Sequence, residues 1–338
     1  MAERAEAEQG AADDLDFSVV VPTKGRPREL ERCLRALAKL RYPHGRFEVV
    51  VVNDGGGEVV MELSANFGAR VVAPVGTGPS AARNAGAAAG RGQWVAFIDD
   101  DCEPSPRWLE SLRATLMANP GAAVGGPTLN AMEQDRGAVA SQAVVDALHE
   151  ELNRGPGPPR FFDSSNLAVE REDFLAFGGF DEGFRYAEDR EMCERWLRSG
   201  RPLVESSEAV VHHLRSLTAR QFVGQHYGYG RGAFAFRRSV GDASSVETRG
   251  VIRGLARRTL RTDRGAARPS PFYLVLSQVA TAAGFLRQAV ADLIEGRDRA
   301  RIDPKRPRVP DVAKARSQRS PDSRGGGSDA DSDHNRAG

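Results

Sequence analysis

The sequence predicts an α/β fold, a mostly parallel sheet flanked by helices, and three observations predict it. Short β-branched runs recur along the first hundred residues, and segments of helical spacing follow several of them. This is the pattern of β-α-β units whose helices cover the sheet. Polar residues gather just after the strand-forming runs, where ligands of open α/β sheets bind. The 338 residues carry a formal net charge of +1 and ample apolar content, enough for one large domain or two ordinary ones.

Taken in order, FSVVVP (17–22) is a buried strand by its β-branched run. After TKGRP, Leu30, Cys33, Leu34, Leu37 and Leu40 recur at helical spacing. FEVVVVNDGGG (47–57) is a second strand running into an acid and glycines, and ARVVAP (69–74) is a third. PSAARNAGAAAG (79–90) suits a helix, and WVAFIDD (94–100) is the fourth strand. Residues 120–235 have a different texture, with FFDSSNLAVEREDFLAFGGFDEGF followed by the helix EDREMCERWLRSG. From 236 to 301 the chain is rich in arginine ahead of the apolar stretch PFYLVLSQVATAAGFL (271–286). Polar residues interrupt that stretch, and it falls short of the roughly 20 residues a spanning helix needs. The expected organisation is a disordered leader over 1–14, an α/β domain over 15–235, a basic amphipathic helical extension over 236–301 and a disordered tail over 302–338.

The near-zero net charge gives no global pull toward nucleic acid. Three widely spaced cysteines, Cys33, Cys102 and Cys193, without a CxxC pair, argue against a disulfide framework or a zinc-thiolate site. The N-terminus is acidic and lacks an apolar core, unlike a secretory signal. A cytoplasmic location is the expectation.

The concentrated chemistry lies in Asp99, Asp100 and Asp101, three like charges at the end of a strand. Strand alternation puts Asp99 and Asp101 on one side and Asp100 on the other. An acidic loop satisfied by backbone N–H groups or arginines is one reading. A hard-oxygen site for Mg²⁺ or Mn²⁺, completed by substrate phosphates, is the other. Asp54 is either a turn residue or an acceptor for a base, and Arg83 either a solvated helix arginine or a phosphate contact.

Together, VVVPTKGRP, VVVVNDGG, GPSAARNAG, FIDDD and GGFDEGF…AEDREMCERW, in this order, resemble the family 2 glycosyltransferases with the GT-A fold. The resemblance covers about 15–235. It implies a Rossmann-like nucleotide-binding half and an acceptor-binding half, followed here by C-terminal helices, with a nucleotide-diphosphate sugar donor across the strand ends. On that resemblance Pro22, Thr23 and Arg26 line the nucleotide pocket, Asp54 contacts the base and Arg83 lies close to the nucleotide. Asp99 to Asp101 form the DxD motif, with Asp99 at the ribose and Asp101 on the metal that bridges the diphosphate. The motif as a whole, Asp100 included, belongs to the donor and metal site. Asn53 stands where the family more often has an acid.

Glu188 and Asp189 open a helix, where acids ordinarily complement the dipole. The resemblance makes Asp189 the base that deprotonates the acceptor hydroxyl and Glu188 its support, with Asn166 near the acceptor or donor sugar. A histidine after that helix completes the metal shell in many GT-A enzymes; His213 is favoured, with His212 the alternative, since neutral imidazole is a competent ligand. QFVGQHYGYGRGAF resembles the non-processive branch, and inversion is the expected outcome. The acceptor is a hydroxyl of a glycan, a lipid-linked or a small molecule. The arginines beside an apolar stretch over 236–300 add an anionic membrane surface on the inner face as a peripheral partner, against ordinary packing of those helices. Two other functions compete. A sugar-phosphate nucleotidyltransferase would show a glycine-rich GxGTRL-like loop, which PTKGRP does not match; a non-catalytic carbohydrate-binding homologue would show a degenerate DxD or ED motif, and both are intact.

Overall fold

Val19, Val20 and Val21 are consecutive and all fully buried. A strand covered on both faces has no solvent side to alternate toward. The computed structural model, which describes residues 15–155, 157–241, 246–260 and 267–294, places them in β1 (Phe17–Thr23). The expected leader and tail lie outside the described residues. β1 pairs in parallel with β2 (Phe47–Asn53) and with β4 (Trp94–Phe97), and β2 pairs in parallel with β3 (Arg70–Val72). Thr23 falls opposite Asn53, so the polar residues beyond these strands emerge at one edge of the sheet.

The crossovers are α1 (Pro27–Leu37), α2 (Gly57–Asn66) and α3 (Pro79–Ala89). Proline opens α1 and α3, where its fixed φ suits a first helical turn and its missing N–H costs nothing. Leu30, Cys33, Leu34 and Leu37 form the buried face of α1, as their spacing predicts, and Leu40 is buried just past its end.

Beyond β4 the sheet is mixed, with one strand reversed and the last pair at its edge parallel. After β5 (Cys102–Pro104), α4 (Trp108–Ala118), β6 (Ala123–Gly125), β7 (Thr128–Asn130) and α5 (Arg136–Asn153), the chain returns as β8 (Leu167–Glu170). β8 lies antiparallel between β4 and β6. Then follow α6 (Arg171–Phe177), α7 (Glu188–Arg198), β9 (Leu203–Glu205) and β10 (Val211–His213). The main sheet has the order β3-β2-β1-β4-β8-β6-β9, and a small sheet has the order β5-β10-β7. The small sheet sets His213 opposite Cys102, the residue after Asp101.

The chain closes with α8 (Ala219–Val240), α9 (Val246–Leu260) and α10 (Pro271–Ile294). The boundary expected after residue 235 falls inside α8, which a capping box of Thr218 and Gln221 starts. α10 has 24 residues, longer than the apolar stretch suggested, and by length and composition alone it could cross a membrane. Leu274, Ser277, Ala280 and Gly284 of α10 are buried. A methyl group on Gly230 of α8 would collide with the Thr281 carbonyl oxygen, and one on Gly284 with that of Tyr227. Glycine at both positions lets the two helices approach backbone to backbone. Leu274 also joins Ala143 and Ala147 of α5, Phe222 of α8 and Leu255 of α9 in a cluster separate from the core under β1.

Candidate active site

The three aspartates sit in a turn, not a strand, because β4 ends at Phe97. Their alternation is therefore lost, and each carboxyl meets an arginine. Arg83 Nη2 donates to Asp99 at 2.7 Å. Arg26 pairs with Asp100 and, through Nη1, with Asp101 at 2.7 Å. Thr23 Oγ1 donates to Asp100 at 2.7 Å. His213 Nε2 lies 3.3 Å from Asp101 Oδ1, and Arg215 Nε lies 4.0 Å from Oδ2. The arginine reading of the DDD motif thus describes its protein contacts.

Burial disfavours ionised Asp101, but the hydrogen bond and charge of His213, with Arg26 and Arg215, outweigh it and hold the carboxyl far below the usual range. Asp100 goes the other way. Its burial outweighs Arg26 and Thr23, and its pKa is pushed up to about 7. Two neighbouring carboxyls are thereby separated in charge state.

Arg83 links the two halves of the site. It is nearly fully buried, reaching Asp99 with one nitrogen and Glu188, 105 residues away in sequence, with the other at 3.0 Å. Burial opposes its charge, and Asp99 and Glu188 more than restore it. Glu188 and Asp189 begin α7, preceded by Ala187 at φ 62°, the one non-glycine residue with positive φ among the described residues. A methyl-bearing residue there costs about 1–2 kcal/mol, and the turn it makes aims the acidic pair inward. Asp189 Oδ1 accepts from the Arg190 N–H at 2.7 Å. Burial first, then the charges of Glu188 and Asp163, push its pKa up to about 8.

Pro22, Thr23, Arg26, Asp54, Arg83, Asp99, Glu188, Asp189 and His213 line one cavity of about 1520 Å³. Asp100 and Asp101 lie behind that wall, through Arg26. Lys24 Nζ pairs with Asp54 at 2.9 Å at its rim. Asn53, where the family more often has an acid, accepts from the Gly56 N–H at 2.6 Å and so holds the turn before α2. Two expected residues are elsewhere. His212 is exposed and points away on the opposite face of β10 from His213. Asn166 is 1% exposed; it accepts from Trp108 Nε1 at 2.9 Å and donates to the carbonyls of Pro127 and Ala209 at 3.0 and 2.8 Å. Its polar capacity is spent on fixing the β8 start, which removes it from a sugar-binding role.

The sequence reading missed Arg215, two residues beyond His213 on the same side, and Asp163, which lines the cavity and pairs with His149 Nε2 at 2.9 Å. It also missed Tyr186, before the acidic pair. A methyl group on Gly232 of α8 would come within 2.8 Å of the Tyr186 Cβ, and one on Gly228 would strike its ring. The glycines of YGYGRG make room for the loop that leads into α7.

Asp101, Cys102 and His213 place an oxygen, a sulfur and a nitrogen within 4.8 Å of one another. Burial and the neighbouring aspartates push the Cys102 thiol well up, which disfavours the thiolate in the absence of a metal. The Asp101 carboxylate and the His213 imidazole are a hard oxygen–nitrogen pair, which fits Mg²⁺ or Mn²⁺.

Residues 18–176 match the family model described as "Glycosyl transferase family 2". The chain is 30% identical over 230 residues to a pre-mycofactocin glycosyltransferase of Mycobacterium tuberculosis, covering 64% of this chain and 47% of that protein. It is 30% identical over 202 residues to the glycosyltransferase AglE of Haloferax volcanii, covering 58% and 66%. The chain thus spans about half the length of the mycobacterial relative. Among solved structures, the mannosyltransferase PcManGT of Pyrobaculum calidifontis, in complex with GDP-Man and Mn²⁺, superposes with a TM-score of 0.51 at 18% identity, over 87% of this chain and 89% of that one. That likeness speaks for the fold alone. The DxD turn and the ED helix are joined across Arg83, and residues 18–176 belong, by the model they match, to glycosyl transferase family 2, on a GT-A fold.

Proposed function

We propose that the protein transfers a sugar from a nucleotide-diphosphate donor to an acceptor hydroxyl, with inversion. The observation that carries this is the buried Arg83 bridge between Asp99 and Glu188, which sets a donor-binding motif beside a carboxyl pair in one cavity.

The donor's base and ribose lie against Pro22, Asp54 and Asp99 at the strand ends. Asp101 and His213 would hold a divalent cation, which supplies charge neutralisation to the leaving diphosphate. Arg26 and Arg215 add fixed positive charge on the same side of the cavity. Asp189 takes the proton from the acceptor hydroxyl as that oxygen bonds to the anomeric carbon. The bond from that carbon to the diphosphate breaks, and the nucleoside diphosphate leaves with its electron pair. A base with pKa near neutrality suits this proton transfer, and Asp189 is pushed up to about 8. Glu188, held by Arg83, supports its position. One displacement with one base inverts the centre.

The exposed side of α9 carries Arg249, Arg253 and Arg257 beside Ile252 and Leu260. This mixture supports docking on an anionic membrane surface from the cytoplasmic side. Thermal denaturation with a panel of nucleoside diphosphates and sugar nucleotides, with and without Mn²⁺, tests the main reading. One nucleotide stabilises strongly with metal and little without it; no shift with any member of the panel refutes it.

A further inference from the structure

The cavity does not end at the acidic pair. Past Asp189 it continues between α5, α8, α9 and α10, where Leu148, Val251, Tyr229, Ala282, Phe285 and Leu286 line it. A sugar nucleotide has no use for such a wall. Its base, ribose and diphosphate are polar and are matched at the opposite end by Asp54, Arg83 and Asp99. The apolar end is large, lies on the far side of the proposed base, and so faces whatever brings the hydroxyl.

This wall, in which Gln225 and Gln278 stand among the apolar residues, also reaches the surface. Leu286 lines the cavity and is yet 63% exposed. Phe272, Val275, Val279, Leu286, Val290 and Leu293 fall on one outward stripe of α10, spaced in threes, fours and their sums. A soluble protein gains nothing from such a stripe unless something apolar covers it. The neighbouring α9 surface, with exposed Arg249, Arg253 and Arg257 interleaved with Ile252 and Leu260, identifies the cover by charge: an apolar layer beneath negative headgroups.

We infer that the α5–α8–α10 end of the cavity is the acceptor subsite and that the acceptor is an amphiphile, a hydroxyl-bearing headgroup carrying an aliphatic chain. The headgroup stands at Asp189. The chain leaves past Phe285 and Leu286 and continues along the outward stripe of α10 into the bilayer. Close packing of α10 on α8 through Gly230 and Gly284 holds this wall at a fixed distance from the Tyr186 loop and hence from Asp189. The inference rests on the transferase reading for the role of Asp189, and its binding element is separable from it.

The test is calorimetric titration of the full chain with glucose, hexyl β-glucoside and octyl β-glucoside, each below its micellar concentration, beside a parallel titration with nucleoside diphosphates and Mn²⁺. Affinity rises by about fourfold per methylene buried, so octyl binds roughly 15-fold more tightly than hexyl and glucose binds least. Ala282→Trp, which fills the channel from an exposed wall position, and Leu286→Gln each abolish most of that gain and leave nucleoside diphosphate binding and the thermal midpoint unchanged. Retained nucleotide binding without chain-length dependence, or chain-length dependence that survives both substitutions, overturns the inference while the transferase reading stands. Loss of nucleotide binding in the unmodified protein overturns the transferase reading instead. A stripe buried by self-association, seen as a dimer that loses octyl glucoside binding on concentration, also overturns it.

Discussion

Asp189→Asn separates stability from catalysis in a pH-dependent way. In the folded protein burial, Glu188 and Asp163 raise the Asp189 pKa from 3.8 to about 8. A raised carboxyl contributes stability that is complete below the ordinary value, about pH 4, and is lost as pH rises through the folded value. The slope is about 1.4 kcal/mol per pH unit. A little over three units separate 3.8 from pH 7, which sets a ceiling of about 4 kcal/mol. Asp189 faces a cavity and is partly exposed to it, so screening brings the expected figure nearer about 2 kcal/mol. Asparagine is neutral throughout, and its Oδ1 can keep the Arg190 N–H bond of 2.7 Å. The variant is therefore as stable as the parent at pH 4 and more stable at pH 8, by about 3 °C in midpoint for a chain of this size. Circular dichroism melts across pH 4–9 measure this. Transfer activity falls by about 10²–10⁴-fold near pH 8 and above, where Asp189 is ionised in the parent, and the difference narrows as pH falls, because the parent's base is then protonated. A midpoint difference that does not grow with pH, or an asparagine variant less stable at pH 8, refutes the electrostatic argument.

Three further outcomes follow from packing. Asn166→Ala takes the partner from the Trp108 N–H and the Ala209 carbonyl and leaves the Pro127 carbonyl with the Val211 N–H alone, and at about 1–3 kcal/mol for each buried group left unpaired it lowers the denaturant midpoint severely; retention of wild-type stability contradicts a structural role. Gly230→Ala drives a methyl group into the Thr281 carbonyl and costs about 1–3 kcal/mol of overpacking, read as a lower midpoint and earlier proteolysis within α10. Ala187→Gly relieves the positive φ and raises stability by about 1 kcal/mol; destabilisation in equilibrium unfolding counts against strain at that position.

Much of this site was legible in the sequence, and what was hidden has a physical pattern. Strand-end residues such as Asp54 and Asp99 follow from periodicity, because a run of buried β-branched residues announces where a strand stops. Asp189 was found from its motif, since acids in a first helical turn look alike whether they cap a helix or take a proton. Arg26 lines the cavity and also pairs with Asp100 and Asp101. Nothing local distinguishes these partners, because the bond joins residues 75 apart. Asn166 was misassigned for the same reason: its three bonds run to residues 39 to 58 positions away. The antiparallel β8 escaped notice because LAVE reads as any short buried strand, and direction is set by the connection rather than by the strand. The glycines of YGYGRG were visible as a motif, but their function, clearing space for Tyr186 and for the α10 backbone, needed the helix positions.

The most direct test of the account is calorimetric titration of the wild-type chain and of Asp101→Ala with nucleoside diphosphates, each with and without Mn²⁺. The account predicts metal-dependent binding of one nucleoside diphosphate to the wild type, and loss of that metal dependence in a variant that melts as a folded protein. Undiminished Mn²⁺-dependent affinity in Asp101→Ala, or equal affinity of the wild type with and without the metal, would contradict it.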